Sequence, residues 1–184
     1  MKRIVFFGDS LTAGYGLQRP DEQSFPALIQ RELDAAGMDY LAVNAGVSGD
    51  TSASGLSRLS YWISQPVDVF VLELGANDLL RGLAPAQTQH HLQAIIDLVR
   101  GKYPSVKLLI LGMQLPLWVP GQRAAEFRDL YRNLADKNHI PLLPSLLDGV
   151  AGIKHLNMPD GVHPLAEGYQ IIAAGVWQVL RPLL

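Results

Sequence analysis

Residues 67–74 read Val-Asp-Val-Phe-Val-Leu-Glu-Leu and run directly into Gly75-Ala76-Asn77-Asp78. Val, Phe and Leu in close succession, stopped by a glycine and a polar turn, predict a strand buried on both faces. Such a strand belongs in a parallel sheet that helices cover on both sides. Four further runs share the character. Ile4–Phe7 ends at Gly8, Tyr40–Val43 closes at Asn44-Ala45-Gly46, and Val106–Leu111 forms a fourth. Ile140–Leu143 is short and broken by Pro141, so it is expected at an edge.

Helical periodicity fills the intervals. Leu92, Ile95, Ile96, Val99 and Tyr103 lie on one helical face, as do Phe127, Leu130, Tyr131 and Leu134, and again Tyr169, Ile172, Ala173, Val176 and Leu180. Pro85 suits a first helical turn, and Asp50 or Thr51 a cap for a helix reaching about Gln65. Pro26–Ala36 and Leu56–Ile63 also read as helical. Alternation of strand and helix along the whole chain predicts one α/β domain, residues 1–184, around a parallel sheet.

Composition narrows the chemistry. The 184 residues carry 15 basic and 17 acidic side chains, a net charge of -2, and no basic run. Phosphate-backbone binding needs a concentrated positive face, so nucleic acid is excluded as a partner. Charged residues make up 17%, below the ~25% of typical domains, which suits neutral or apolar ligands. With no cysteine there are no disulfides, thiolate metal sites or cysteine nucleophile. No stretch reaches the ~18 apolar residues of a membrane span, because Gly112, Gln114 and Pro116 interrupt Leu108–Val119. Stable membrane insertion is therefore not expected. The apolar run behind Lys2-Arg3 is too short for a signal peptide. A cytoplasmic protein is expected if Met1 is native, a periplasmic or secreted one if a leader was removed.

In open α/β sheets ligands bind outside the carboxyl ends of the strands. Those ends carry Gly8-Asp9-Ser10, Asn44-Ala45-Gly46 through Gly49-Asp50-Thr51, and Gly75-Ala76-Asn77-Asp78, while Asp160-Gly161-Val162-His163-Pro164 precedes the last helix. Singly, these are helix caps, turn glycines and Asx turns. Together they answer a chemical need. A serine hydroxyl becomes a nucleophile when a base takes its proton, and histidine, at ~6.5, titrates where that base should. The histidine needs an acceptor on its second nitrogen. Asp160, three residues before His163, can supply it from the same loop, and Ser10 completes a Ser-Asp-His set. Asp9 and Asp78 are the other carboxylates in reach of that role. The Ser10 backbone N–H, the Gly46 backbone N–H and the Asn77 side-chain amide are the expected donors to an oxyanion.

The blocks GDSLTAGYG, NAGVSGDTSASGL, LELGANDLLRG and DGVHPLAEGYQIIA resemble those of the SGNH, or GDSL, hydrolases, in order and spacing over nearly the whole chain. GMQLPLWVPGQRAAEFRDLY resembles the branch of bacterial multifunctional thioesterase/protease/lysophospholipases and related arylesterases. The resemblance implies a three-layer α/β/α flavodoxin-like fold with five parallel strands. It implies Ser10 as nucleophile, His163 as base, Asp160 as its orienter, and Gly46 and Asn77 completing the oxyanion hole. No cofactor is implied. The expected partner is a small ester or thioester, and the expected state a monomer or small homo-oligomer. Leu79-Leu80 stands where that branch often has a glycine first.

Leu79, Leu80, Leu115, Leu117 and Trp118, with Leu83 and Val119, are either loop anchors or the walls of an acyl pocket. His90-His91 is expected to be a solvated helix face, His139 a helix-end residue, and His155 a neighbour of the site without a carboxylate; no metal-ligand spacing exists. Two alternatives are carried. One is a carbohydrate O-deacetylase of the same family. The other is a binding module that holds FMN or another phosphate on Ser10, Thr12 and Gly14.

Overall fold

The computed structural model describes residues 1–113 and 122–184. Strands β1 (Lys2–Gly8), β2 (Tyr40–Gly46), β3 (Val69–Glu73), β4 (Lys107–Leu111) and β5 (Leu142–Leu143) form one parallel sheet in the order β2-β1-β3-β4-β5. The helices are α1 (Ser10–Ala13), α2 (Pro20–Gln23), α3 (Phe25–Ala35), α4 (Ser52–Trp62), α5 (Ala76–Leu80), α6 (Pro85–Lys102), α7 (Gln122–Asn138) and α8 (Ala166–Leu180). The α/β architecture with five parallel strands is the one the sequence predicts.

The two-residue period of a strand divides the core. Val5, Phe7, Phe70, Leu72, Leu108 and Ile110 join Leu59 of α4, Leu92, Ile95, Ile96 and Val99 of α6, and Phe127, Leu130 and Leu134 of α7 in one cluster. Ile4, Phe6, Val69, Val71, Leu109 and Leu111 join Phe25, Ile29 and Leu33 of α3 and Tyr169, Ile172 and Val176 of α8 in the other. The sheet is thus the middle of three layers, and both faces of β1 and β3 are sealed.

Boundaries shift where backbone bonding outlasts the apolar pattern. β2 extends to Gly46 because it stays in register with β1, from Lys2 opposite Tyr40 to Gly8 opposite Gly46. β5 shrinks to Leu142–Leu143 because Pro141 has no N–H to give the ladder. Thr51, not Asp50, caps α4, in a reciprocal box with Ser54, and that helix stops at Trp62. Among the described residues no helix is long and apolar enough to cross a membrane.

Candidate active site

The chain leaves β1 for β2 on one side and returns to β3 on the other, so the carboxyl ends of β1 and β3 flank the point where strand order reverses. Ser10 sits there. The Asp9 carboxylate accepts the Leu11 N–H at 3.0 Å and so caps α1, while Gly14 closes the short helix in the left-handed conformation. Ser10 is thereby the first helical residue, and its own N–H has no acceptor among the described residues.

The histidine arrives on a loop folded against itself. Asn157 and Pro164 form an antiparallel bridge, and the Met158 N–H donates to the His163 carbonyl at 2.8 Å. Inside this pinch, Asp160 Oδ1 accepts the Val162 and His163 N–H groups at 2.9 and 3.0 Å. Asp160 Oδ2 lies 2.7 Å from His163 Nδ1, and His163 Nε2 lies 2.9 Å from Ser10 Oγ. The bond to His163, then the two backbone N–H groups, hold the Asp160 carboxyl at a pKa of about 2. An ionised carboxylate only accepts, so Nδ1 carries the ring proton and Nε2 faces the serine hydroxyl as an acceptor. Asp160 does not cap the last helix: α8 begins at Ala166. Of the three carboxylates weighed for the histidine, Asp160 bonds it, whereas Asp9 caps α1 and Asp78 is turned to Ser52 and Thr88.

Gly46 is not offered to an oxyanion. Its N–H donates to Asn44 Oδ1 at 3.0 Å, and a Cβ there would fall 2.2 Å from the Ala13 nitrogen. Its glycine identity lets α1 lie on β2. Three residues on, Gly49 has φ 84° and an N–H with no acceptor among the described residues, and its carbonyl accepts from Arg81 Nη2 at 2.6 Å. The Asn77 amide nitrogen donates to Asp9 Oδ2 at 3.1 Å and to the Asp50 carbonyl at 2.9 Å, tying α5 both to the serine turn and to the loop that carries Gly49.

Beneath the serine lies a buried acid. Glu73 Oε2 accepts the Asp9 N–H at 3.1 Å and the Thr12 hydroxyl at 2.8 Å. Burial, then the charge of Asp9, push the Glu73 carboxyl well above the carboxylate range. Burial also raises Asp9 to about 6, opposed by its bonds to Leu11 and Glu73 and by the charge of His163. Thr12 is fully buried on Glu73, so it cannot hold a phosphate, and the phosphate-binding alternative loses one of its residues. Arg58 pairs with Asp50 and donates to the Gly8 carbonyl.

Asp78 is buried too, and accepts the Ser52 N–H at 2.7 Å and the Thr88 hydroxyl at 3.1 Å. Ser52 Oγ in turn lies 3.0 Å from His91 Nδ1. His90 is exposed as expected, but His91 is half-buried on this network rather than on a solvated face, a link that helix periodicity does not reveal. His139 ends α7 with φ 53°, and His155 is exposed. No cluster of metal-ligating side chains occurs among the described residues.

Ser10, Asn77 and His163 open into a cleft of about 240 Å³ walled by Leu79, Leu80, Met113, Leu147 and Val162. Leu79 and Leu80 are therefore lining residues. Leu115, Leu117, Trp118 and Val119 fall outside the described residues. Met113, Leu147 and Val162 were not expected. Val162 adjoins His163 and Met113 follows β4, which are usable signals, whereas Leu147 gives none in the sequence.

The chain is 38% identical over 182 residues to the esterase TesA of Pseudomonas aeruginosa, covering 98% of this chain and 89% of that protein. It is 34% identical over 182 residues to thioesterase 1/protease 1/lysophospholipase L1 of Escherichia coli K12, covering 98% and 84%. A crystal structure of TesA superposes with a TM-score of 0.92 at 38% identity, covering 100% of both chains. Residues 6–171 match the model of the GDSL-like lipase/acylhydrolase family. Sequence blocks, sheet order and relatives therefore agree, and the chain belongs to the GDSL-like lipase/acylhydrolase family.

Proposed function

We propose that the chain hydrolyses small carboxylic esters, and the related thioesters, through an acyl-enzyme on Ser10. The observation that carries this reading is the unbroken line from Ser10 Oγ through His163 to Asp160, 2.9 and 2.7 Å. Ser10 Oγ attacks the acyl carbon as its proton passes to His163 Nε2. The Asp160 carboxylate holds the ring in the accepting tautomer and faces the positive charge that forms. The tetrahedral oxyanion takes hydrogen bonds from the Ser10 N–H, the Gly49 N–H and the Asn77 amide, which gives up its longer bond to Asp9. The acyl carbon–oxygen or carbon–sulfur bond then breaks, and His163 returns the proton to the departing alcohol or thiol. Water, deprotonated by His163, attacks the acyl-enzyme. The acid leaves, and the proton goes back to Ser10. Each step uses side chains and backbone alone.

The cleft supports this substrate class. Its walls are apolar beyond the reacting groups, which favours an acyl chain over a polysaccharide acetate. At about 240 Å³ it is smaller than the ~300–1,000 Å³ that encloses a drug-sized ligand, so it takes the acyl end of a substrate rather than the whole of a lysophospholipid. Hydrolysis of p-nitrophenyl esters from acetate to palmitate by wild type and Ser10→Ala tests the reading. Turnover abolished by the substitution supports it; equal turnover by both proteins overturns it.

A further inference from the structure

Tyr15 stands out among the residues that the mechanism leaves unused. It is 50% exposed, yet its ring lies against the imidazole of His163, with centroids 4.6 Å apart and planes tilted by 49°. Its hydroxyl has no partner among the described residues. The residue is fixed by its backbone, whose N–H donates to the Ser10 carbonyl at 3.0 Å. The next residue, Gly16, packs on Met158 of the histidine loop so closely that a Cβ would fall 2.2 Å from its sulfur. The turn therefore spans the two segments that must meet for Ser10 to reach His163.

The supports of His163 are otherwise on its edges. Asp160, from the same loop, holds Nδ1, and Ser10 holds Nε2. Asp160 is 40% exposed, so water competes for it. Asp9, at the cap of α1, also interacts electrostatically with the ring. Tyr15 instead sets its ring against the imidazole, tilted by 49° at 4.6 Å. The face of a phenol ring carries negative potential and attracts a cation set against it within ~6 Å.

We propose that Tyr15 is a positioning residue for His163. Its ring fixes the plane of the imidazole and favours the imidazolium that forms when Ser10 attacks. This rests on the Ser10–His163 reading of the site. Removing the ring destabilises the imidazolium, so the histidine becomes neutral at lower pH but is a weaker base. Tyr15→Leu should lower kcat at least about two- to fivefold with little change in KM, and move the acid limb of kcat/KM down by about half a pH unit. Tyr15→Phe keeps the ring and should restore both.

NMR titration of the His163 ring, in wild type and in a Ser10→Ala background, reads the same shift without turnover. A Tyr15→Leu protein with the wild-type acid limb and His163 titration overturns the proposal. So does a Tyr15→Phe protein that behaves like Tyr15→Leu, because the hydroxyl and not the ring would then be acting. If Ser10→Ala hydrolyses esters at the wild-type rate, the acyl-enzyme reading falls, while the ring titration still decides whether Tyr15 acts on His163.

Discussion

Glu73→Gln tests whether the serine turn rests on a neutral acid. Glu73 is 3% exposed, and both donors it accepts, the Asp9 N–H and the Thr12 hydroxyl, converge on Oε2. The second oxygen is left to carry a proton. A glutamine preserves the shape, accepts the same two donors through its carbonyl, and presents N–H where the acid presents O–H. In the unfolded chain this glutamate ionises near 4.5, whereas burial and the Asp9 charge keep it protonated far higher in the native state. A raised acid contributes its stability fully below the unfolded value and loses it as pH rises toward the folded one. Each pH unit in that window removes at most about 1.4 kcal/mol from the wild type through Glu73, a loss the glutamine variant does not share. Asp9, raised to about 6 and bonded to Glu73, titrates in the same range in both proteins, so the difference reads Glu73 together with its effect on Asp9. Urea unfolding at pH 5, 6 and 7 measures the effect. Glu73→Gln should gain on wild type as the pH rises. Stability profiles that run parallel across this range would mean that Glu73 is ionised in the folded chain, and the reasoning would fail.

Four more outcomes are expected. Asn77→Ala should lower kcat by roughly 10²–10³ with a smaller change in KM, checked by steady-state ester hydrolysis. Asp160→Asn should lower kcat by between about tenfold and the ~10⁴ that a buried triad aspartate is worth, since solvent reaches 40% of this side chain. In the wild type, Asp160 stays ionised down to about pH 2, so it should contribute nothing to the acid limb of a pH–rate profile recorded between pH 5 and 8. Gly46→Ala forces a methyl to within 2.2 Å of the Ala13 nitrogen and should cost about 1–3 kcal/mol in a thermal or urea melt.

The sheet was legible because a strand sealed on both faces must be apolar on both, and Val69–Leu72 and Ile4–Phe7 are. The helices showed their inward faces at 3.6-residue spacing for the same reason. The meeting of Ser10, His163 and Asp160 was legible because acyl transfer admits few residue types and the blocks fix their order. What failed was anything decided by backbone direction. Gly46 and Gly49 look alike in sequence, and only the path of the chain shows one N–H taken by Asn44 and the other without an acceptor among the described residues. Leu147 is likewise invisible because its place on the cleft wall is set by the fold, not by a local pattern. Glu73 stands in a strand as one charged residue among apolar ones, and nothing in the sequence says that Thr12 and the Asp9 N–H will meet it.

That buried acid bears on the reaction itself. In the proposed mechanism an anion forms beside Ser10 and a cation on His163 at the same moment, and the fixed charges beneath them help one and oppose the other. Asp50 is balanced by Arg58, and Asp160 is matched to the imidazole. Asp9 is left: it attracts the imidazolium and repels the oxyanion. A second carboxylate at Glu73 would double the repulsion from below. A neutral Glu73 removes that charge while still holding the Asp9 N–H, so the turn keeps its shape without deepening the negative potential where the oxyanion must form. Asn77 acts in the same balance. In the resting enzyme its amide is held by Asp9 and by the Asp50 carbonyl, so the donor is already oriented when the substrate arrives. Turning one hydrogen from Asp9 to the oxyanion exchanges one negative acceptor for another, with little reorganisation of the side chain.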